Sequence, residues 1–210
     1  MKTVHRSKEA LYTIEGSRFI SELHPVNSKE EADDIIKSIR KAHPKATHVV
    51  SAVRMAEEGY YDDDGEPAQT AGAPLLSLLE GEEIVFALIT SVRYFGGTKL
   101  GKGGLIRAYS ESGREAIRLT EFLTLHNVTQ FFLTFDYAEQ GVIDHLLTTF
   151  GAFRGPTDYS ANIRTKVYFE SVNGFRQKFL DATQGRGLIE KGERVYIYRS
   201  KEQIVERGNQ

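Results

Sequence analysis

The chain has 210 residues, with 27 basic and 29 acidic side chains and a net charge of −2. That length suits one large domain or two ordinary ones, and a hydrophobic content of 40% is enough for a packed core. The balanced charge excludes a protein coated in positive charge for indiscriminate nucleic-acid binding, and the lack of cysteine excludes disulfides, thiolate metal sites and a cysteine nucleophile.

The opening MKTVHRSKEALYTIEG has no continuous apolar segment. This predicts no signal peptide, no membrane partner and a cytoplasmic location by default. Leu11–Leu23 alternates as two short strands around Gly16 and Ser17. Ser28 and Glu31 have capping-box spacing, and Ala32, Ile35, Ile36 and Ile39 then make a helical apolar stripe ending before Pro44. Ala46–Met55 is β-rich. An acidic loop follows, then a short helix in TAGAPLLSLLEG that Gly81 stops. Thr70 is placed to cap that helix. EEIVFALITSVRYF is the strongest strand, with too little polar alternation for an exposed face. Leu105–Leu123 has helical apolar spacing.

The second half has its own rhythm. VTQFFLTFDY reads as a strand, EQGVIDHLLTTFG as a helix, AFRGPTDYSANIRTKVYFES as two strands, NGFRQKFLDATQGRG as a helix and LIEKGERVYIYRS as closing strand material. The order β-α-β-β-α-β predicts a ferredoxin-like split βαβ sandwich. Phe131, Phe132, Phe135 and Phe150 are expected in its core. Arg164, Lys166, Arg176 and Lys178 are either a modest basic patch or ordinary solvated surface. The expected class is α+β, with domains over residues 1–125 and 128–210. Their charges are −3 up to Thr124 and +1 beyond it, so neither half is a basic module.

Two segments stand out. Between Gly96 and Gly104 five of nine residues are glycine, and between Arg93 and Arg107 there are four basic residues and no acidic one. Gly96–Gly103 nearly matches a phosphate-binding loop but has Gly103 where a hydroxyl must hold magnesium. The dinucleotide template fails as well, with Ile106 where glycine or alanine belongs. What survives is a run of glycines at the start of a helix, where backbone N–H groups and the helix dipole favour anions. Tyr94 and Phe95 add aromatic faces. The segment is either a tight turn alone or a turn that also binds a ligand.

The acidic loop is its counterpart, with six acidic residues and no basic one between Glu57 and Glu66. It is either a solvated loop or a carboxylate cluster that meets Arg93, Lys99 or Lys102. No cofactor and no metal site are expected. The histidines are scattered, and Ser51, Ser77 and Ser91 lack a nucleophile-elbow context.

DDGEPAQTAGAP, from Asp63 to Pro74, followed by VRYFGGTKLGKGGLIRAY, from Val92 to Tyr109, closely resembles the YigZ/IMPACT family. GSRFIS around Arg18 fits too, and the likeness covers essentially the whole chain. Gln69 stands where the family usually has glycine. Thr98 replaces a usual aliphatic residue, and the strand after His48 lacks the family's frequent Asn-Cys pair. The resemblance implies a first domain similar to the second domain of ribosomal protein uS5 and a second resembling translocase domain V. It also implies a part in translation, since eukaryotic relatives regulate it through a protein partner.

Two functions follow as expectations. One is a non-enzymatic binding or regulatory protein whose partner is RNA, the ribosome or a regulatory protein. Its expected binding residues are Asp63, Asp64, Gly65, Glu66, Pro67, Thr70 and Gly72 in the acidic loop. The second segment contributes Arg93, Tyr94, Phe95, Gly96, Gly97, Lys99, Gly101, Lys102, Gly103, Gly104 and Arg107. The other is an enzyme on a phosphorylated small molecule or nucleotide. There Asp64 or Glu66 would be base or metal ligand, and Arg93 or Lys99 would stabilise phosphate charge.

Overall fold

A computed structural model describes residues 1–200 and 203–207. It is mixed α and β, and its chain divides into two compact units, the first running from Met1 to Thr124 and the second starting at Leu125.

The first unit contains β1 (Lys2–Arg6), β2 (Ala10–Ile14), β3 (Ser17–Pro25), α1 (Lys29–Ala42), β4 (His48–Arg54), β5 (Gly59–Asp62), α2 (Gly72–Gly81), β6 (Ala87–Tyr94), α3 (Gly101–Leu119) and β7 (Glu121–Thr124). Five strands form an antiparallel sheet in the order β2-β3-β6-β4-β5. Strands β1 and β7 pair separately. Alternation along the strands gives the sheet two faces. On one, Phe19, Leu23, Val50 and Ile89 pack under α2 and α3, against Leu75, Leu79, Leu105 and Tyr109. On the other, Val53 and Leu88 meet Ala32 of α1. The central strand β6 is therefore buried on both sides, as its unbroken apolar run requires.

Ser28 caps α1, its hydroxyl accepting from the Glu31 amide at 3.3 Å, while the Glu31 carboxylate accepts from the Asn27 amide at 2.7 Å. Three expectations need correction. A short strand, β5, lies inside the acidic loop, because Gly59–Asp62 pairs with the edge of β4. Helix α3 starts at Gly101 rather than Leu105, so three glycines form part of its first turn. It ends at Leu119, and the following residues join β1 as a strand instead of continuing the helix.

The second unit contains β8 (His126–Phe135), a 3₁₀ turn at Tyr137–Glu139, α4 (Gln140–Thr149), β9 (Phe153–Tyr159), β10 (Ile163–Phe169), α5 (Phe175–Ala182), β11 (Leu188–Ser200) and β12 (Gln203–Arg207). The sheet order is β12-β11-β8-β10-β9, antiparallel throughout. Phe131, Leu133 and Phe135 of β8 pack with Ile143, Leu147, Phe175 and Phe179 of the two helices. Gly151, at φ +66°, turns the chain out of α4. Phe132 does not join this core. Its side chain alternates to the opposite face, where Arg164 and Lys166 flank its ring at 5.6 and 5.7 Å. These two cations pair in turn with Glu190 and Glu206. Among the described residues, no helix is long and apolar enough to cross a membrane.

Candidate functional site

One row of the first sheet carries chemistry instead of hydrocarbon. Cross-strand register sets Phe19 of β3 and His48 of β4 on either side of Arg93 of β6. All three lie at the end of β6 from which the chain leaves for α3. Glu66, from the acidic loop, sits over them. Its Oε1 accepts from Arg93 Nη1 at 2.6 Å and from the Tyr109 hydroxyl at 2.8 Å. Tyr109, on α3, also meets the Phe19 ring edge-on at 5.0 Å. Burial, and then the adjacent Glu66 charge, push the Tyr109 phenol far above its ordinary range, so it serves as a donor.

The loop reaches this position because Asp63 and Asp64 are committed to the fold. Asp63 accepts from the Gln69, Ala71 and Gly72 amides at 2.7, 3.0 and 2.8 Å. It thereby caps α2, the role expected of Thr70. Thr70 instead donates its hydroxyl to the Pro67 carbonyl at 2.6 Å. Asp64 accepts from the Val49 amide at 2.6 Å and pairs with Arg40 at 2.6 Å. Its carbonyl lies 2.7 Å from His48 Nδ1. A carbonyl only accepts, so Nδ1 carries the hydrogen and Nε2 is left 3.8 Å from Glu66 Oε1. Gln69 adopts φ +63°, in the left-handed region where a side chain costs about 1–2 kcal/mol. That conformation accounts for a preference for glycine at this position.

The glycine segment serves two purposes. Gly96 is a packing residue. A Cβ there would fall onto the Gly16 carbonyl carbon and the Ser17 nitrogen, and its own amide donates to the Ser17 hydroxyl at 3.1 Å. Gly97 and Gly101 have φ of +96° and +69°, and nothing lies within 4 Å of where a Cβ would stand on either. Gly103 is helical, and a Cβ on it would meet only an Arg107 nitrogen at 3.7 Å. A helical glycine costs about 1 kcal/mol relative to alanine, so no internal contact explains Gly103.

Between the row and this segment lies a cavity of about 320 Å³. Its lining includes His48, Glu66, Arg93, Phe95, Lys99 and Lys102. The start of α3 opens there without a side-chain cap and with no acidic residue in its first turn. Arg93 is 5% exposed, and its Nε has no hydrogen-bond partner. Phe95 keeps 46% of its surface exposed. Two lysines, a buried guanidinium and a bare helix start thus share one concavity. Such a constellation attracts an anion.

Several expected residues lie elsewhere. Tyr94 follows Arg93 in the strand and so points to the opposite face, where its hydroxyl meets His43 Nδ1 at 2.8 Å. Of the acidic run, only Glu66 meets Arg93. Ser91 is buried, and Ser21 donates to it at 2.8 Å, so it is no exposed nucleophile. His48 and Tyr109 were missed by sequence reasoning. The two-residue alternation of β4 and β6, once paired in register, is the signal that places His48 beside Arg93. A larger groove of about 720 Å³ runs along α1. Its cations are already engaged: Lys37 with Asp34, Arg40 with Asp64, and Lys29 over the Tyr60 ring.

The Impact N-terminal domain matches residues 15–117, which include every residue of the cavity. IMPACT family member YvyE of Bacillus subtilis (strain 168) is 34% identical over 209 residues, covering 97% of this chain and 96% of its own. The chain belongs to the IMPACT family. Family member YigZ of Escherichia coli (strain K12) is 32% identical and is covered over 88% of its length, against 82% of this chain. A crystal structure of a hypothetical protein aligns at 29% identity with a TM-score of 0.62, over 91% of this chain and 97% of its own. The two-domain translational regulator Yih1 aligns over 54% of this chain and 46% of its own, at 26% identity. The TM-score of that alignment is 0.36.

Proposed function

We propose that this IMPACT family member is a non-enzymatic binding protein linked to translation, and that its cleft meets the phosphates of RNA, free or within the ribosome. The observation that carries this reading is the cavity that brings Arg93, Lys99 and Lys102 to the uncapped start of α3. The phosphate-facing residues are Arg93, Lys99, Lys102 and the backbone of Gly101–Gly104, with Phe95 at the rim. Asp63, Asp64, Gly65, Pro67 and Gly72 build the loop that brings Glu66 into place. An enzymatic reading is less well supported. Asp64 is occupied by Val49 and Arg40, and Glu66 by Arg93 and Tyr109, so neither stands free as a base.

The finer fold assignments belong with this reading. The order β11-β8-β10-β9, with α4 and α5 packed against the sheet, supports a ferredoxin-like second domain over 128–210. A uS5-like first domain over 1–125 is consistent with helices on both faces of its sheet, and a cytoplasmic site of action goes with both.

Cosedimentation with ribosomes, and capture of RNA from lysate with and without nuclease, test the proposal. Wild type is expected to associate in a nuclease-sensitive, salt-sensitive manner, and Lys99→Ala/Lys102→Ala to lose most of that association. Wild type that associates with neither, at any salt concentration, contradicts it.

A further inference from the structure

We propose that the cleft receives a single nucleoside 5′-monophosphate unit, with its phosphate at the start of α3 and its base on the Phe95 ring. This rests on the RNA-binding reading and narrows it to one nucleotide. The cavity, at about 320 Å³, stands near the lower end of the range for small-molecule sites, roughly 300–1,000 Å³. It has room for one nucleotide and not for a duplex or a folded segment. Its lining has two chemistries. Lys99, Lys102 and Arg93 supply positive charge against the single carboxylate of Glu66, while Phe95, Leu100, Leu105 and Pro67 supply apolar surface.

Two observations beyond the helix terminus point to a ligand. The Arg93 guanidinium is more than nine-tenths buried and lines the cavity with Lys99 and Lys102, so three cations face one carboxylate, Glu66, in the lining. Phe95 is the other. Its amide is held by the Thr47 hydroxyl at 3.0 Å and its ring lies 5.6 Å from the Arg93 guanidinium, so the backbone is fixed while the ring stays half exposed. A fixed, exposed ring beside cations is a stacking platform for a base. A bare phosphate would use the cations and leave the ring idle. An acidic peptide would also reach the cations, but it has no flat face to lay on Phe95.

Titration of the full ¹⁵N-labelled chain tests this, following the amides of Phe95 and Gly101–Gly104. The probes are AMP, adenosine, inorganic phosphate, and a short oligoribonucleotide with and without a 5′-phosphate. AMP is expected to shift these amides at lower concentration than phosphate or adenosine does. Phe95→Ala is expected to weaken AMP about tenfold and leave phosphate unchanged. Phe95 is exposed, so this substitution does not endanger the fold. If the 5′-phosphorylated oligonucleotide acts as AMP does and its 5′-hydroxyl form does not, the source is an RNA terminus. If AMP acts alone, the nucleotide proposal holds for a free nucleotide and the RNA reading falls. Phosphate equal to AMP, or AMP indifferent to Phe95→Ala, overturns the proposal. So does binding of both oligonucleotides with no response to AMP, an outcome that leaves the RNA reading standing.

Discussion

Gly96→Ala is expected to destabilise the first unit by about 3 kcal/mol or more, at the upper end of what overpacking costs. The cause is contact between main chains. The Gly16–Ser17 turn and the chain leaving β6 cross so closely that a methyl on Gly96 would overlap backbone atoms, and a methyl on Gly16 would stand 2.9 Å from the Gly96 carbonyl oxygen. Backbone cannot swing aside as a side chain can. Gly103→Ala is the matched control. Its methyl meets only the end of the Arg107 side chain, so gaining helix propensity should stabilise the chain by up to about 1 kcal/mol. The chain has no tryptophan, so far-UV circular dichroism in urea is the suitable probe. Two transitions are expected, one per unit, and only the first should move. Equal effects of the two substitutions would show that the close crossing does not exist.

Glu66→Ala is expected to cost about 3–5 kcal/mol, the range for removing one partner of a buried ion pair. The substitution leaves the Arg93 guanidinium buried without its carboxylate and deprives Tyr109 of its acceptor. The cost is mostly that of the stranded charge, so it should shrink when the charge is removed as well. Glu66→Ala/Arg93→Met is therefore expected to be more stable than Glu66→Ala alone, a sign reversal that independent sites would not give. Urea denaturation of the four proteins in the cycle measures it. Additive losses would mean that the two side chains do not interact. The pair also bears on binding, because Glu66 is the anion that now holds Arg93. Lowering its charge in Glu66→Gln should tighten binding of an external anion while stability falls.

Much of the architecture was legible in the sequence because it rests on local rules. The Ser28 cap, the stripe of α1, the buried run of β6 and the helix–strand order of the second unit follow from spacing and turn chemistry. What was not legible depended on pairing at a distance. The strands β1 and β7 are 5 and 4 residues long and acquire their structure from each other and from the bridge between Lys2 and Ile84. Strand β5 hides in an acidic run because it is an edge strand with three of its four residues exposed. Phe132 was read as core because hydrophobicity alone does not tell which face of a strand an aromatic occupies. Spacing alone starts α3 four residues late because glycine is the poorest helix former after proline, and no internal contact calls for it at Gly103.

The site was legible in its parts but not in its arrangement. The motifs identified the acidic loop and the glycine segment, and the structure joins them through one pair, Glu66 and Arg93, instead of through a general meeting of charges. Asp63 and Asp64 are expected from the sequence among the binding residues. Their oxygens are instead taken up by backbone N–H groups and Arg40. No residue count reveals that, because most of the partners are main-chain amides that only the folded loop brings to the carboxylates. His48 and Tyr109 enter the site only through sheet register and helix packing.

The most direct measurement of the central claim is the salt dependence of single-stranded RNA binding, followed by fluorescence anisotropy for wild type and Lys99→Ala/Lys102→Ala. Each phosphate neutralised contributes about −0.7 to the slope of log Kobs against log salt. Loss of two cations from the cleft should make that slope shallower by about 1.4 and weaken binding at low salt. Identical slopes for the two proteins would mean that Lys99 and Lys102 meet no RNA phosphate, and would contradict the RNA-binding account.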